Sequence, residues 1–189
     1  MPKIILASTS PRRKALLSQL GLEFEVVHSD YDEDMTLAME PVELAKFLSA
    51  GKADAVYAKY PKDIIIAADT FVVMREHILG KPHTPERAKE MLQKISGQKL
   101  QIITGLTVIN EKQKISRAVS TDVFIKKLSI EEIENYVATG EPLDKAGAFA
   151  IQEKGAALVE KIEGDYNSAV GLPLDELVKI LQEMGAKIF

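Results

Sequence analysis

Two short runs constrain this chain most: residues 3–7 (Lys-Ile-Ile-Leu-Ala) and residues 64–68 (Ile-Ile-Ile-Ala-Ala). Neither alternates polar with apolar residues. A strand apolar on both sides has to be covered on both faces, so it belongs inside a sheet flanked by helices. Helix signals stand between the strand candidates, as that requires. Ser10-Pro11 offers a cap and a first-turn proline ahead of Leu16, Leu17 and Leu20, and Gly21 ends the run. Thr84-Pro85 repeats the device before Ala88, Met91, Leu92 and Ile95, with Gly97 as the stop. Ser129 and Glu132 form a capping box ahead of Ile133, Tyr136 and Val137. Pro173 opens a last helix striped by Leu174, Leu177, Val178, Leu181 and Met184 and closed by Gly185. A less regular helix is expected over about residues 41–60, with Gly51 as its weak point.

Further strands are expected at residues 24–28, 71–74, 100–109, 115–124 and 157–162, and the polar segment 110–114 reads as a hairpin turn. Hairpin neighbours mixed with helix-connected strands predict an α/β chain with a mixed sheet rather than a purely doubly wound one. The 189 residues, 46% hydrophobic and 28% charged, suffice to bury a real core, and a single domain over 1–189 is expected. No cysteine is present, which excludes disulfides, thiol nucleophiles and thiolate zinc sites and fits a reducing compartment. The N-terminal apolar run is too short for a signal peptide, and no stretch approaches the roughly 20 apolar residues of a membrane span. A cytoplasmic protein without membrane contact is the expectation. A net charge of -4 argues against general nucleic-acid binding but not against a small anionic substrate.

Several segments have the residue types for chemistry. In Ala7-Ser8-Thr9-Ser10-Pro11-Arg12-Arg13 a buried strand gives way to a hydroxyl-rich turn and a helix start. Backbone amides and the positive helix end there attract phosphate, and Arg12 and Arg13 add forked donors; the alternative is a capped helix with surface arginines. Asp69 follows the apolar run 64–68, at what reads as a strand end. A carboxylate there can bind a divalent metal or take a proton from water, or it is an ordinary turn aspartate. Leu79-Gly80-Lys81-Pro82 sets a lysine beside a glycine without Walker A spacing, and Lys52 follows Gly51. Residues 144–152 concentrate small side chains beside Asp144, Lys145 and Gln152, and residues 164–168 read as a turn. The acidic run Asp30-Tyr31-Asp32-Glu33-Asp34 could hold a metal or be a solvated loop. His28, His77 and His83 lack metal-ligand spacing, and no G-x-S-x-G is present.

In order and spacing, these segments together resemble the Maf family of nucleotide pyrophosphatases over essentially the whole chain. The matching stretches include residues 7–13, Ala68-Asp69-Thr70, Leu79-Gly80-Lys81-Pro82, Ile95-Ser96-Gly97, Ile103-Thr104-Gly105, residues 139–147, Gly164-Asp165-Tyr166 and Gly171-Leu172-Pro173. The resemblance implies an inosine-triphosphatase-like fold: a mixed, elongated sheet flanked by helices, two lobes around a deep cleft, and often a homodimer. It implies hydrolysis of a nucleoside triphosphate to the monophosphate and pyrophosphate, with Mg²⁺ or Mn²⁺. It assigns Asp69 as the proton acceptor for water, with Glu33 and Asp69 at the metal. Ser8, Arg12, Arg13, Lys52 and Lys81 fall around the phosphates. Arg12, Thr70 and Gln152 match the members acting on dTTP and UTP. Relatives commonly have glycine where this chain has Ala150 and Glu153. The readings set beside it are a pyrophosphatase for 7-methyl-GTP or another non-standard nucleotide, and a non-catalytic nucleotide sensor regulating division.

Overall fold

The computed structural model describes residues 2–186, so Met1 and residues 187–189 of the expected domain lie outside the described residues. The elements run β1 (Ile4–Leu6), α1 (Pro11–Ser18), β2 (Phe24–Val26), α2 (Pro41–Tyr57), β3 (Ile64–Met74), β4 (His77–Leu79), α3 (Pro85–Ile95), β5 (Lys99–Ile109), β6 (Lys114–Ile125), α4 (Ile130–Ala138), β7 (Val159–Glu163), α5 (Tyr166–Val170) and α6 (Leu174–Glu183). The sheet has seven strands in the order β2-β1-β3-β5-β6-β7, with β4 on β3. It mixes parallel pairs, β1 with β2 and with β3, and antiparallel pairs, β3 with β4 and β6 with β7. The mixed α/β architecture is therefore the one the sequence predicts. Among the described residues no helix is long and apolar enough to cross a membrane.

The caps form as the sequence indicates. Ser10 and Thr84 accept the amides of Arg13 and Arg87, with proline in the first turn of each helix, and Ser129 with Glu132 makes a reciprocal capping box. Asn110 shapes the β5–β6 turn, its side chain accepting from the amides of Lys112 and Gln113.

The chain divides into two compact units: residues 1–70, 103–119 and 167–189, and residues 71–102 and 120–166. In the first, Ile5, Ala7, Ala53, Val56, Ile65, Ala67 and Ile109 form a buried cluster, with Val27 and Tyr57 packed against it. The continuous apolar runs of β1 and β3 are buried here, as strands covered on both faces require. In the second, α3 packs on α4 and on the short 3-10 turns Glu141–Asp144 and Ala146–Ala148.

Three expectations are corrected. Residues 64–68 and 71–74 are not two strands: β3 runs unbroken through eleven residues, and Asp69 lies inside it rather than at its end. The polar pair Asp69-Thr70 looks like a turn in sequence, but each side chain has a partner from another element, so the ladder continues. Gly51 does not weaken α2, which continues through it to Tyr57. The Tyr31 ring fills the space over this glycine, and a Cβ there would lie 2.3 Å from Tyr31 Cζ. Residues 166–168, expected as part of a turn over 164–168, belong instead to the short helix α5 (Tyr166–Val170).

Candidate active site

Parallel pairing in register, Ile4 with Ile64 and Leu6 with Ile66, carries the end of β1 alongside the middle of β3. The Ala7 amide donates to the Ile66 carbonyl at 2.8 Å. The chain then turns at Ser8, which is 9% exposed, into α1. Fewer turn amides are available to a ligand than the sequence suggests. The Ser10 amide donates to Ser8 Oγ (3.3 Å), that of Arg13 to Ser10 Oγ (3.5 Å), and Pro11 has none.

Arg13 is held on three sides. Its Nε donates to the Gly171 carbonyl (2.9 Å), Nη1 to Ser8 Oγ (3.3 Å) and Nη2 to Thr70 Oγ1 (3.1 Å). A guanidinium has five N–H donors, so one remains on each terminal nitrogen. Burial lowers the Arg13 pKa, while the charges of Asp69 and Glu33 act to raise it. Nearby, the Lys52 ammonium of α2 meets Asp69 Oδ1 at 2.5 Å and Glu33 Oε1 at 2.6 Å. The acidic run is thereby tied to α2 and the turn that follows it: Tyr31 packs over Gly51, Glu33 pairs with Lys52, and Asp30 pairs with Lys59 after the helix end. Ser8, Ser10, Arg13, His28, Ser29, Glu33 and Lys52 line an open recess of about 280 Å³ in this unit. It brings together two cationic groups, Arg13 and Lys52, and one carboxylate, Glu33.

A family model for Maf-like proteins matches residues 3–184. The chain belongs to the Maf family. Proteins named dTTP/UTP pyrophosphatase are 52% identical in Methanosarcina mazei and 53% in Methanococcoides burtonii, each match covering all of this chain and 98% of the relative. One from a Geobacillus species is 43% identical over 98% of this chain and all of its own length. Among solved structures, the Ham1 protein of Staphylococcus aureus aligns with TM-score 0.55 at 15% identity, covering 96% of this chain and 99% of that one. A HAM1 protein from Coxiella burnetii aligns at 0.53 and 17%, with coverages of 97% and 100%. These two likenesses concern the fold alone.

Of the residues singled out by the Maf resemblance, Ser8, Arg13, Glu33, Lys52, Asp69 and Thr70 are joined by the hydrogen bonds and ion pairs above, all within the first unit. Arg12 is exposed on the first turn of α1, and its charge acts on Arg13. Lys81 and Gln152 belong to the second unit. Lys81 is exposed, after Gly80, whose carbonyl accepts from the Gly147 amide. Gln152 is half-buried and precedes the 3-10 turn Glu153–Leu158. That turn is fixed by Glu141, whose carboxylate accepts from the Gly155 amide (2.8 Å), the Lys154 amide (3.2 Å) and the Tyr136 hydroxyl (2.9 Å). Burial, and then the bond to Glu141, pushes the Tyr136 pKa up. Glu153 has φ 60°, a conformation suited to glycine. Reasoning from residue types missed Thr104, the Gly171 carbonyl and Tyr31. The first two sit in the matching stretches Ile103-Thr104-Gly105 and Gly171-Leu172-Pro173, which marked the places but not what the atoms touch.

Proposed function

We propose that this Maf-family chain is a hydrolase that cleaves dTTP and UTP between the α- and β-phosphates, releasing the monophosphate and pyrophosphate. The observation that carries the reading is the convergence of Asp69, Glu33 and Lys52 beside a guanidinium anchored on three sides. The names of relatives matching the full chain at 43–53% identity support it. The domain is read as one catalytic unit over residues 1–189, acting on a soluble nucleotide.

A divalent ion fits the donors. Glu33 and Asp69 already share one cation, the Lys52 ammonium, and both offer hard oxygens. Among the described residues no group of three or more His, Cys, Asp or Glu could hold a metal, so phosphate oxygens would complete the coordination of a Mg²⁺ or Mn²⁺ held by these two carboxylates. Such an ion would neutralise charge on the triphosphate.

In the proposed reaction Asp69 orients water and accepts its proton as the oxygen attacks the α-phosphorus. Arg13 presents its two remaining N–H groups to the phosphates, Ser8 borders them, and Lys52 and Arg12 add positive charge. Charge growing on the departing pyrophosphate falls among these cations. Gln152, whose amide offers N–H donors and a carbonyl acceptor, is the residue read as meeting the edge of uracil or thymine.

The test is pyrophosphate release from dTTP, UTP, CTP, GTP and 7-methyl-GTP. dTTP and UTP should lead, activity should vanish in EDTA and return with Mg²⁺ or Mn²⁺, and Asp69→Asn should lower turnover at least ~100-fold with the fold intact. A mutant near wild-type activity would sink the role of Asp69; a lead by CTP or 7-methyl-GTP would overturn the substrate assignment.

A further inference from the structure

Behind Arg13 lies a line of hydroxyls whose direction can be worked out. Thr104, on β5, is fully buried, and its Oγ1 lies 2.8 Å from the Ser168 carbonyl oxygen. The same Oγ1 lies 2.8 Å from Thr70 Oγ1. A carbonyl can only accept, and each threonine has one hydroxyl hydrogen. Only one assignment puts a hydrogen in both contacts: Thr70 donates to Thr104, and Thr104 donates to Ser168. The hydroxyl of Thr70 therefore has its hydrogen committed away from Arg13, and it accepts from Arg13 Nη2 at 3.1 Å.

We propose that Thr104 is a positioning residue for Arg13, acting through Thr70, and that Thr70 faces any ligand as an acceptor only. The proposal rests on the reading of Arg13 as a phosphate ligand. Remove the Thr104 hydroxyl, and the Thr70 hydrogen has no acceptor there. It can turn toward Arg13, where donor meets donor, and the guanidinium loses one of its three anchors. The two N–H groups left for a phosphate then lose their fixed aim, because only the Gly171 carbonyl and Ser8 still hold the group.

The experiment is calorimetric binding of inorganic pyrophosphate with Mg²⁺, compared for wild type, Thr104→Val, Thr104→Ser, Arg13→Lys and the Thr104→Val/Arg13→Lys double mutant. Valine keeps the shape of threonine and loses the hydroxyl; serine keeps the hydroxyl. Thr104→Val should weaken pyrophosphate binding about tenfold, as expected for loss of one hydrogen bond to a charged group. Thr104→Ser should stay within about twofold of wild type, since it keeps that bond. In the Arg13→Lys background, Thr104→Val should cause no further loss, because the group it positions is gone. A purely structural role would instead lower affinity by the same factor in both backgrounds, and that result overturns the proposal. So does wild-type affinity in Thr104→Val. If valine prevents folding, judged by circular dichroism, Thr104→Ala takes its place in the same cycle. The readout is binding rather than turnover, so a wild type that binds pyrophosphate but leaves dTTP intact counts against the proposed function, and a failed cycle counts against Thr104.

Discussion

Replacing Lys52 by methionine keeps the unbranched apolar stem of the side chain but removes the charge between Glu33 and Asp69. The two carboxylates differ in what they lose. The Glu33 side chain is 41% exposed and stays hydrated, whereas that of Asp69 is 7% exposed and that of Lys52 12%. The cost therefore falls on Asp69, left as a buried charge without its counter-ion. Breaking a buried pair from one side costs about 3–5 kcal/mol. The recess beside this pair admits some water, so the low end, ~3 kcal/mol, applies. At about 2–4 °C per kcal/mol for a chain of this size, the melting temperature should fall by roughly 6–12 °C. Asp69→Asn alone should cost much less, because Lys52 keeps its contact with Glu33. In the double mutant Lys52→Met/Asp69→Asn no buried charge is stranded, and most of the lost stability should return. Thermal unfolding by circular dichroism at neutral pH and low salt reads all four proteins. A Lys52→Met protein melting within ~2 °C of wild type would refute the reasoning, as would a double mutant whose loss equals the sum of the two singles.

Two further substitutions test the frame that carries these residues. Gly105→Ala would put a Cβ 2.0 Å from the Ala45 carbonyl oxygen, so β5 must separate from α2, backbone from backbone. Stability should drop by about 3 kcal/mol, the upper end for overpacking, and kcat/KM for dTTP should fall with it because α2 carries Lys52; an unchanged denaturant midpoint would contradict this. Elsewhere in the first unit, the hydrogen bond from Arg117, together with its charge, lowers the pKa of Glu176 below its ordinary 4.5. A carboxyl depressed in the folded state binds fewer protons there than in the unfolded chain, so its stabilisation is present above 4.5 and is lost as pH falls through the folded value. Glu176→Gln should be less stable than wild type in urea at neutral pH, and the two should converge in acid; a constant difference across that range would count against the pair.

The parts of the fold legible in the sequence are those set by neighbours along the chain. Ser10-Pro11, Thr84-Pro85 and the Ser129–Glu132 box mark helix starts because a cap satisfies amides two or three residues away. β3 was legible only in halves, because nothing near Asp69 shows that Lys52 will neutralise it or that Arg13 and Thr104 will satisfy Thr70. The hairpin of β3 with β4 was hidden for a local reason. Its turn is Arg75-Glu76, with φ 48° and 70°, in place of the asparagine or glycine that usually signals two positive φ angles. At the candidate site the residue types pointed to charge and phosphate, and the resemblance pointed to positions. What neither conveyed is the anchoring: a guanidinium fixed by a backbone carbonyl from residue 171, and a hydroxyl line that ends on the carbonyl of residue 168. Those contacts join segments more than sixty residues apart, and only the folded chain brings them together.

The central claim is that water attacks the α-phosphorus beside Asp69. Hydrolysis of dTTP in oxygen-18 water, with both products analysed by mass spectrometry, tests it directly. The account predicts one heavy oxygen in the dTMP and none in the pyrophosphate, with formation of the labelled dTMP lost in Asp69→Asn. Label in the pyrophosphate would mean attack at the β-phosphorus, and dTDP with inorganic phosphate as the products would mean attack at the γ-phosphorus; either result contradicts the account.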